Sequence, residues 1–220
     1  MGQIPGGRHG LAPEAVAESQ RARILGAMRT AVANGGYEEA TIAGVIAHAG
    51  VSRRTFYEQF TSKDECFAVA YREEMDRLLE VTMSAFAEDG EPWVARLRSA
   101  LTALCAALAA NPESARLCFV EAMDAGTVTA ERRREALRGL LPLFEAAPSD
   151  ALLDMSFRES LSMGRIGDLS EMLHQEIAAG ETTTLPRLVP QLTYMMVLPF
   201  LGPERAAQEL SGERRLRPAS

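Results

Sequence analysis

Residues 50–60 read GVSRRTFYEQF and set two unlike kinds of side chain on one short segment. Glycine at position 50 favours the left-handed conformation that ends a helix, and Ser52 is suited to cap a new one over residues 53–60. At about 100° per residue, Phe56 and Phe60 fall together at i and i+4, an apolar side that packs on preceding helices. Arg54, Thr55 and Glu58 point the other way, with Arg53, Tyr57 and Gln59 on the flanks. A solvated helix does not need guanidinium, hydroxyl and phenol groups together. A helix lying in a major groove does, because arginine donates two hydrogen bonds to guanine and hydroxyls reach phosphate oxygens.

The flanking sequence supplies the frame for such a helix. From Pro13 an amphipathic helix carries Ile24, Met28 and Val32 at four-residue spacing and stops at Gly35-Gly36. Thr41 is suited to cap a short second helix that Gly50 ends, so residues 41–60 have the order short helix, glycine turn, second helix of a helix-turn-helix. Ser62 to Glu65, SKDE, forms a capping box for a long fourth helix with Phe67, Tyr71, Met75, Leu78, Leu79, Thr82 and Phe86 at helical spacing, broken by EDGEP. Further helices are expected at 92–110, 113–124, 128–146 with a kink at Pro142, 150–179 and 184–201. No segment alternates as a strand does, so the expected fold is all-α. The expected organisation is a flexible arm at 1–12, a helix-turn-helix domain at 13–62, a larger helical body at 63–210 and a polar tail at 211–220.

The run ATIAGVIAHAGVSRRTFYEQFTSKDECFAVAY at 40–71 resembles the N-terminal DNA-binding domain of the tetracycline-repressor (TetR) family of bacterial transcription regulators. The matching residues are Thr41, Ala49-Gly50-Val51-Ser52, Phe56-Tyr57, Phe60 and Ser62-Lys63; Gly44 and Ile46 depart from the family's usual polar and small residues there. The resemblance implies phosphate contacts from Thr41, Thr55, Tyr57 and Lys63, the chain's one lysine, and base contacts from Arg53, Arg54 and Gln59. It further implies a small-molecule effector held among helices four to eight. The apolar candidates for that pocket are Met83, Phe86, Trp93, Leu101, Cys105, Phe119, Met123 and Phe157. It also implies a homodimer through helices 150–179 and 184–201, where Ser160, Gly164 and Gly167 allow close approach, bound to a palindromic operator in double-stranded DNA.

Composition bounds the alternatives. Of the 220 residues 47% are hydrophobic and 24% charged, the balance of a globular protein with a sizeable core. The net charge of −7 excludes a protein that coats nucleic acid along its whole surface, yet residues 1–64 hold seven Arg/Lys against six Asp/Glu while 65–220 hold 16 against 24. A polyanion is therefore tolerated only at the N-terminal end. Cys66, Cys105 and Cys118 lack CxxC spacing, and His9, His48 and His174 are scattered singly, so no metal site and no cofactor is expected. With no signal peptide and no membrane-length apolar run beyond MMVLPFL at 195–201, a cytoplasmic protein is expected. The run ERRRE at 131–135 reads as a salt-laced exposed face. No nucleophile, metalloprotease, phosphate-loop or dinucleotide pattern is present, which argues against an enzyme. The remaining rival is an adaptor that binds small molecules or proteins and keeps a vestigial helix-turn-helix.

Overall fold

The computed structural model describes residues 13–87, 90–123, 125–148 and 155–211. Its elements are α1 (Pro13–Glu39), α2 (Ile42–Ala49), α3 (Arg53–Gln59), α4 (Lys63–Phe86), α5 (Trp93–Ala110), α6 (Pro112–Phe119), a 3-10 turn (Glu121–Met123), α7 (Gly126–Arg138), α8 (Pro142–Glu145), α9 (Met155–Ala178), a 3-10 segment (Thr182–Leu188) and α10 (Val189–Ser211). The described residues contain no strand, and the fold is all-α. The expected arm at 1–12 and most of the expected tail, 212–220, lie outside the described residues.

The caps are made as the sequence spells them. Thr41 Oγ1 accepts the amide of Gly44 at 3.1 Å, Ser52 Oγ that of Thr55 at 3.0 Å, and Ser62 Oγ that of Glu65 at 3.1 Å. Gly50 ends α2 with φ 63° and ψ 40°, which costs a residue with a Cβ and costs glycine nothing. Gly36 interrupts α1 with φ 82° and ψ 168°, a conformation essentially confined to glycine, so the regular helix stops where the glycine pair stands.

Several expected boundaries shift, each for a local reason. The single helix expected over 128–146 is two, α7 and α8, because Pro142 cannot donate to a preceding turn and the chain tightens to i+3 bonds at Leu140 and Leu141. The helix expected at 113–124 ends at Phe119 and passes into the 3-10 turn. The helix expected at 184–201 begins as the 3-10 segment, which contains Pro186, and becomes α-helical at Val189. It then runs past 201 through a kink at Gly202.

One core runs through both halves of the chain. Phe56 and Phe60 are buried behind α3, with the Arg21 guanidinium of α1 stacked 4.6 Å from the Phe60 ring centroid. α4 packs on α1 at its start and on α5, α6 and α7 farther along, which makes it the shared wall of the two halves. α5 is long and apolar enough to cross a membrane by length and composition alone; here its Leu97, Leu101, Leu104 and Leu108 are buried against neighbouring helices. Cys66, Cys105 and Cys118 are buried free thiols, and burial pushes Cys66 and Cys105 up to about 12. Phe56 is fully buried under a helix of only seven residues, which is too short to hold itself. Phe56→Ala is expected to lower unfolding stability by about 3–5 kcal/mol in urea denaturation.

Candidate nucleic-acid interface and internal cavity

The exposed side of α3 is built from its two ends. At the N-terminus the Ser52 and Thr55 hydroxyls are 2.9 Å apart within the cap, so the Thr55 side chain is held at the helix start. Arg53 and Arg54 follow the cap, both exposed. Arg53 makes no hydrogen bond or ion pair among the described residues, whereas Arg54 Nε donates to Glu58 Oε1 at 2.8 Å. Tyr57 projects from the same helix with its ring edge-on to Phe56, centroids 5.5 Å apart. Gln59 is half-buried, and its carbonyl accepts from Arg21 across the domain. Thr41, at the start of α2, is exposed.

Lys63 has partners within the chain. Its ammonium donates to the Tyr37 carbonyl at 3.0 Å and lies 4.2 Å from the Tyr37 ring centroid. The one lysine is thus engaged inside the molecule as well as near the candidate interface. A lysine ammonium has three donors, so two remain for a phosphate.

Tyr37 is the centre of a junction that the motif did not announce. Its phenol donates to Asp64 of α4 and its ring meets Phe67 edge-on at 4.8 Å. Burial first, and then the bonded Asp64 carboxylate, hold that phenol well above its ordinary pKa, so it stays a neutral donor. From the opposite side, the Tyr37 amide donates to Glu121 Oε2 at 2.8 Å. Glu121 is buried in the 3-10 turn after α6 and pairs with Arg116 at 2.7 Å. A Cβ at Gly36 would lie 3.1 Å from the same Glu121 oxygen, so the glycine gives the carboxylate room as well as giving the backbone its turn. A second tie lies along α1 and α4, where buried Glu74 accepts from Arg29 at 2.8 Å and from Arg77 at 3.0 Å.

Two residues before Glu121, Phe119 lines an internal gap between α4, α5, α6, α7 and α9. Met75, Leu78, Leu104, Leu137 and Ile166 are among its other walls. The gap measures about 20 Å³, room for about one water. The Phe119 carbonyl is bonded to His174 Nδ1 of α9 at 2.7 Å; a carbonyl only accepts, so that nitrogen carries the proton. Ser170, also in the wall, accepts from Arg133 of α7 at 3.3 Å. Leu137 is shared between this gap and an outer groove of about 290 Å³ that Met123, Arg133 and Arg134 line.

The eight apolar candidates are placed as follows in the structure. Of the eight candidates, Phe119 lines the internal gap and Met123 lines the outer groove, 48% exposed. Phe157 lies on the surface of α9, 56% exposed. Trp93 donates to the Leu143 carbonyl at 2.7 Å and stacks edge-on with Phe200, the packing of a core residue. Phe86, Leu101 and Cys105 are buried away from the gap's lining and Met83 is half-buried. No group of three or more His, Cys, Asp or Glu among the described residues is placed to hold a metal ion.

Residues 24–70 match the family model described as bacterial regulatory proteins, tetR family. The fatty acid degradation regulator FadR from Bacillus halodurans superposes with a TM-score of 0.70 at 21% identity, covering 86% of this chain and 96% of that one. FadR from Bacillus subtilis, in complex with stearoyl-CoA, gives 0.68 at 18% identity, covering 83% and 98%. SmeT, the repressor of the Stenotrophomonas maltophilia multidrug efflux pump SmeDEF, gives 0.63 at 18%, covering 82% and 89%. At these identities the structural likeness speaks for the fold. No curated protein sequence matches the chain.

The Glu121 junction makes a measurable demand. Glu121→Ala leaves the Tyr37 amide and the Arg116 guanidinium without their acceptor, at a cost of about 1–3 kcal/mol. Amide exchange at Tyr37 is expected to quicken more than at the α5 core; equal exchange at both would mean the bond does not hold the turn.

Proposed function

We propose that this chain, whose residues 24–70 match the family model described as bacterial regulatory proteins, tetR family, is a homodimeric transcription regulator released from a palindromic operator by a small-molecule effector. One observation carries the reading. The gap and the N-terminal half are joined by a short route of two peptide units and one hydrogen bond, because Phe119 walls the gap and Glu121 accepts the Tyr37 amide beside the start of α4.

On this reading Arg53, Arg54 and Gln59 face base edges, while Thr41, Thr55, Tyr57 and Lys63 serve the phosphates. The domain limits remain those read from the sequence, with 13–62 on the DNA and 63–210 for effector and partner. A gap of about 20 Å³ admits no metabolite, whereas ligand sites measure about 300–1,000 Å³. On this reading an effector that enters beside Phe119 displaces wall side chains, and that displacement moves Glu121 and the turn it holds. A bias of about 3 kcal/mol between the two arrangements lowers DNA affinity about 100-fold.

The effector class follows from the wall chemistry. The gap is apolar apart from Thr82 and Ser170, and Arg133 and Arg134 lie across Leu137 from it. That arrangement suits a long apolar chain with an anionic head. The stearoyl-CoA bound by Bacillus subtilis FadR belongs to that class.

Dimerisation rests on the outer faces of α9 and α10. Gly164 and Gly167 lie exposed on α9, and a Cβ at either would meet nothing within 4 Å. Each glycine weakens a helix by about 1 kcal/mol relative to alanine, without any reason within this chain. A second copy's helix packed on that face supplies the reason. Tyr194, Leu198 and Leu201 of α10 are half-buried apolar groups suited to the same interface. A two-fold dimer sets two recognition helices about 34–36 Å apart, one turn of duplex.

Two measurements test the reading. In fluorescence anisotropy with duplex from upstream of its gene, the wild-type chain is expected to bind and to lose about 100-fold affinity with stearoyl-CoA; Arg53→Ala with Arg54→Ala is expected to abolish binding. An adaptor with a vestigial helix-turn-helix shows no binding at the outset. In sedimentation analysis, Gly164→Leu is expected to turn dimer into folded monomer, and a dimer that persists undiminished refutes the α9 interface.

A further inference from the structure

α3 carries one acidic side chain on its exposed face, and an acid has the wrong charge for a surface that meets phosphates. Glu58 is that residue, its side chain 53% exposed and one turn beyond Arg54, whose side chain is 89% exposed. The two are joined by a single bond, Arg54 Nε to Glu58 Oε1 at 2.8 Å. In the free protein such an exposed pair contributes little, since water screens it. Its effect arises when the helix enters a groove and the water leaves.

A guanidinium has five N–H donors, and the one at Nε is committed to Glu58. The four at Nη make no bond among the described residues, and two of them in parallel fit the O6 and N7 acceptors of guanine. An untethered arginine would instead turn to the nearest phosphate, which is more strongly charged and carries no sequence information. Arg54 cannot do so without stranding the Glu58 carboxylate in a groove crowded with acceptor oxygens and nitrogens. A desolvated, unpaired carboxylate is costly, so the pair stays together. Arg53, with no partner among the described residues, has no such tether.

We infer that Glu58 is a positioning residue for operator recognition: it holds Arg54 by Nε so that the Nη edge reads one guanine, and it penalises DNA that lacks guanine there. This rests on the reading that α3 enters the major groove. It assigns the two arginines different work. Arg54 is held to one guanine, and Arg53 reads its base edge without such a tether. Specificity is a difference between affinities, and Glu58 widens that difference by weakening the wrong complexes.

The test starts from duplexes that the wild-type chain enriches from a random-sequence pool, with each base pair of the enriched site then substituted singly. Wild type is expected to lose about 10- to 100-fold affinity at one G·C pair. Arg54→Ala and Glu58→Ala are both expected to flatten the loss at that same pair to a few-fold while leaving the other positions intact. Glu58→Ala should also bind random duplex more tightly than wild type, since a charge of the phosphates' own sign is gone. Glu58→Gln keeps an acceptor for Nε and should retain more of the discrimination than alanine. The inference is overturned if the Glu58→Ala profile matches wild type, if it loses affinity equally at every position, or if its flattened pair differs from that of Arg54→Ala. Should wild type enrich no sequence, the DNA-binding reading fails first and this inference with it; that outcome is visible before any variant is made.

Discussion

The arrangement of the exposed side chains of α3 depends on two benzyl groups. A seven-residue helix gains too few backbone bonds to offset its nucleation cost, so α3 exists only because Phe56 and Phe60 are buried beneath it. Their i, i+4 spacing also fixes its rotation about its own axis. With those rings inward, Arg53, Arg54 and Glu58 face solvent. Burial on one side and display on the other are one constraint, and a rotation of one residue would turn Thr55 and Gln59, or Tyr57 and Thr61, into the core.

The same logic extends from helix to domain. α4 is shared between the two halves, and its first turn is tied to α1 through Tyr37, Asp64 and Lys63. Tyr37 is in turn tied to the 3-10 turn after α6 through Glu121. A buried carboxylate that accepts from a backbone amide and from an arginine tolerates little displacement, because either bond lost leaves a charged group unsatisfied away from water. In the proposed switch, such a junction would transmit a shift of α6. Gly36, in a conformation that other residues avoid, lets the chain turn at the place where that carboxylate must approach.

How much of this was legible in the sequence follows the range of the interactions. Caps, glycine stops and the i, i+4 stripe act within a few residues, so Thr41, Gly50, Ser52, Phe56, Phe60 and Ser62 declared the helix-turn-helix unaided. The cavity wall did not declare itself. An apolar residue on a helix looks the same whether it faces a gap, a neighbour or a second copy. Trp93 proved to be bonded to Leu143, 50 positions away, and Phe157 lies on the surface. The Tyr37–Glu121 bond spans 84 positions and was missed. A signal for it existed in the run LCFVEAM at 117–123, where one carboxylate stands among apolar residues and needs a partner. The Gly35-Gly36 pair was legible as a helix stop but not as the seat for that partner.

The small volume beside Phe119 bears on the energetics of the proposed switch. A preformed cavity would let a ligand enter without moving anything, and a ligand with equal affinity for both states shifts nothing. In the proposed switch, a gap this small makes binding and rearrangement one event. Opening it separates packed side chains, yet each methylene buried returns about 0.8 kcal/mol, so a chain of ten or more carbons brings about 8 kcal/mol. That is enough to offset the separation of several wall residues and still leave about 3 kcal/mol to bias the DNA-binding half. A short polar metabolite brings no comparable term. In the proposed switch, so small a gap favours long apolar chains on energetic grounds, apart from any likeness to a protein that binds one.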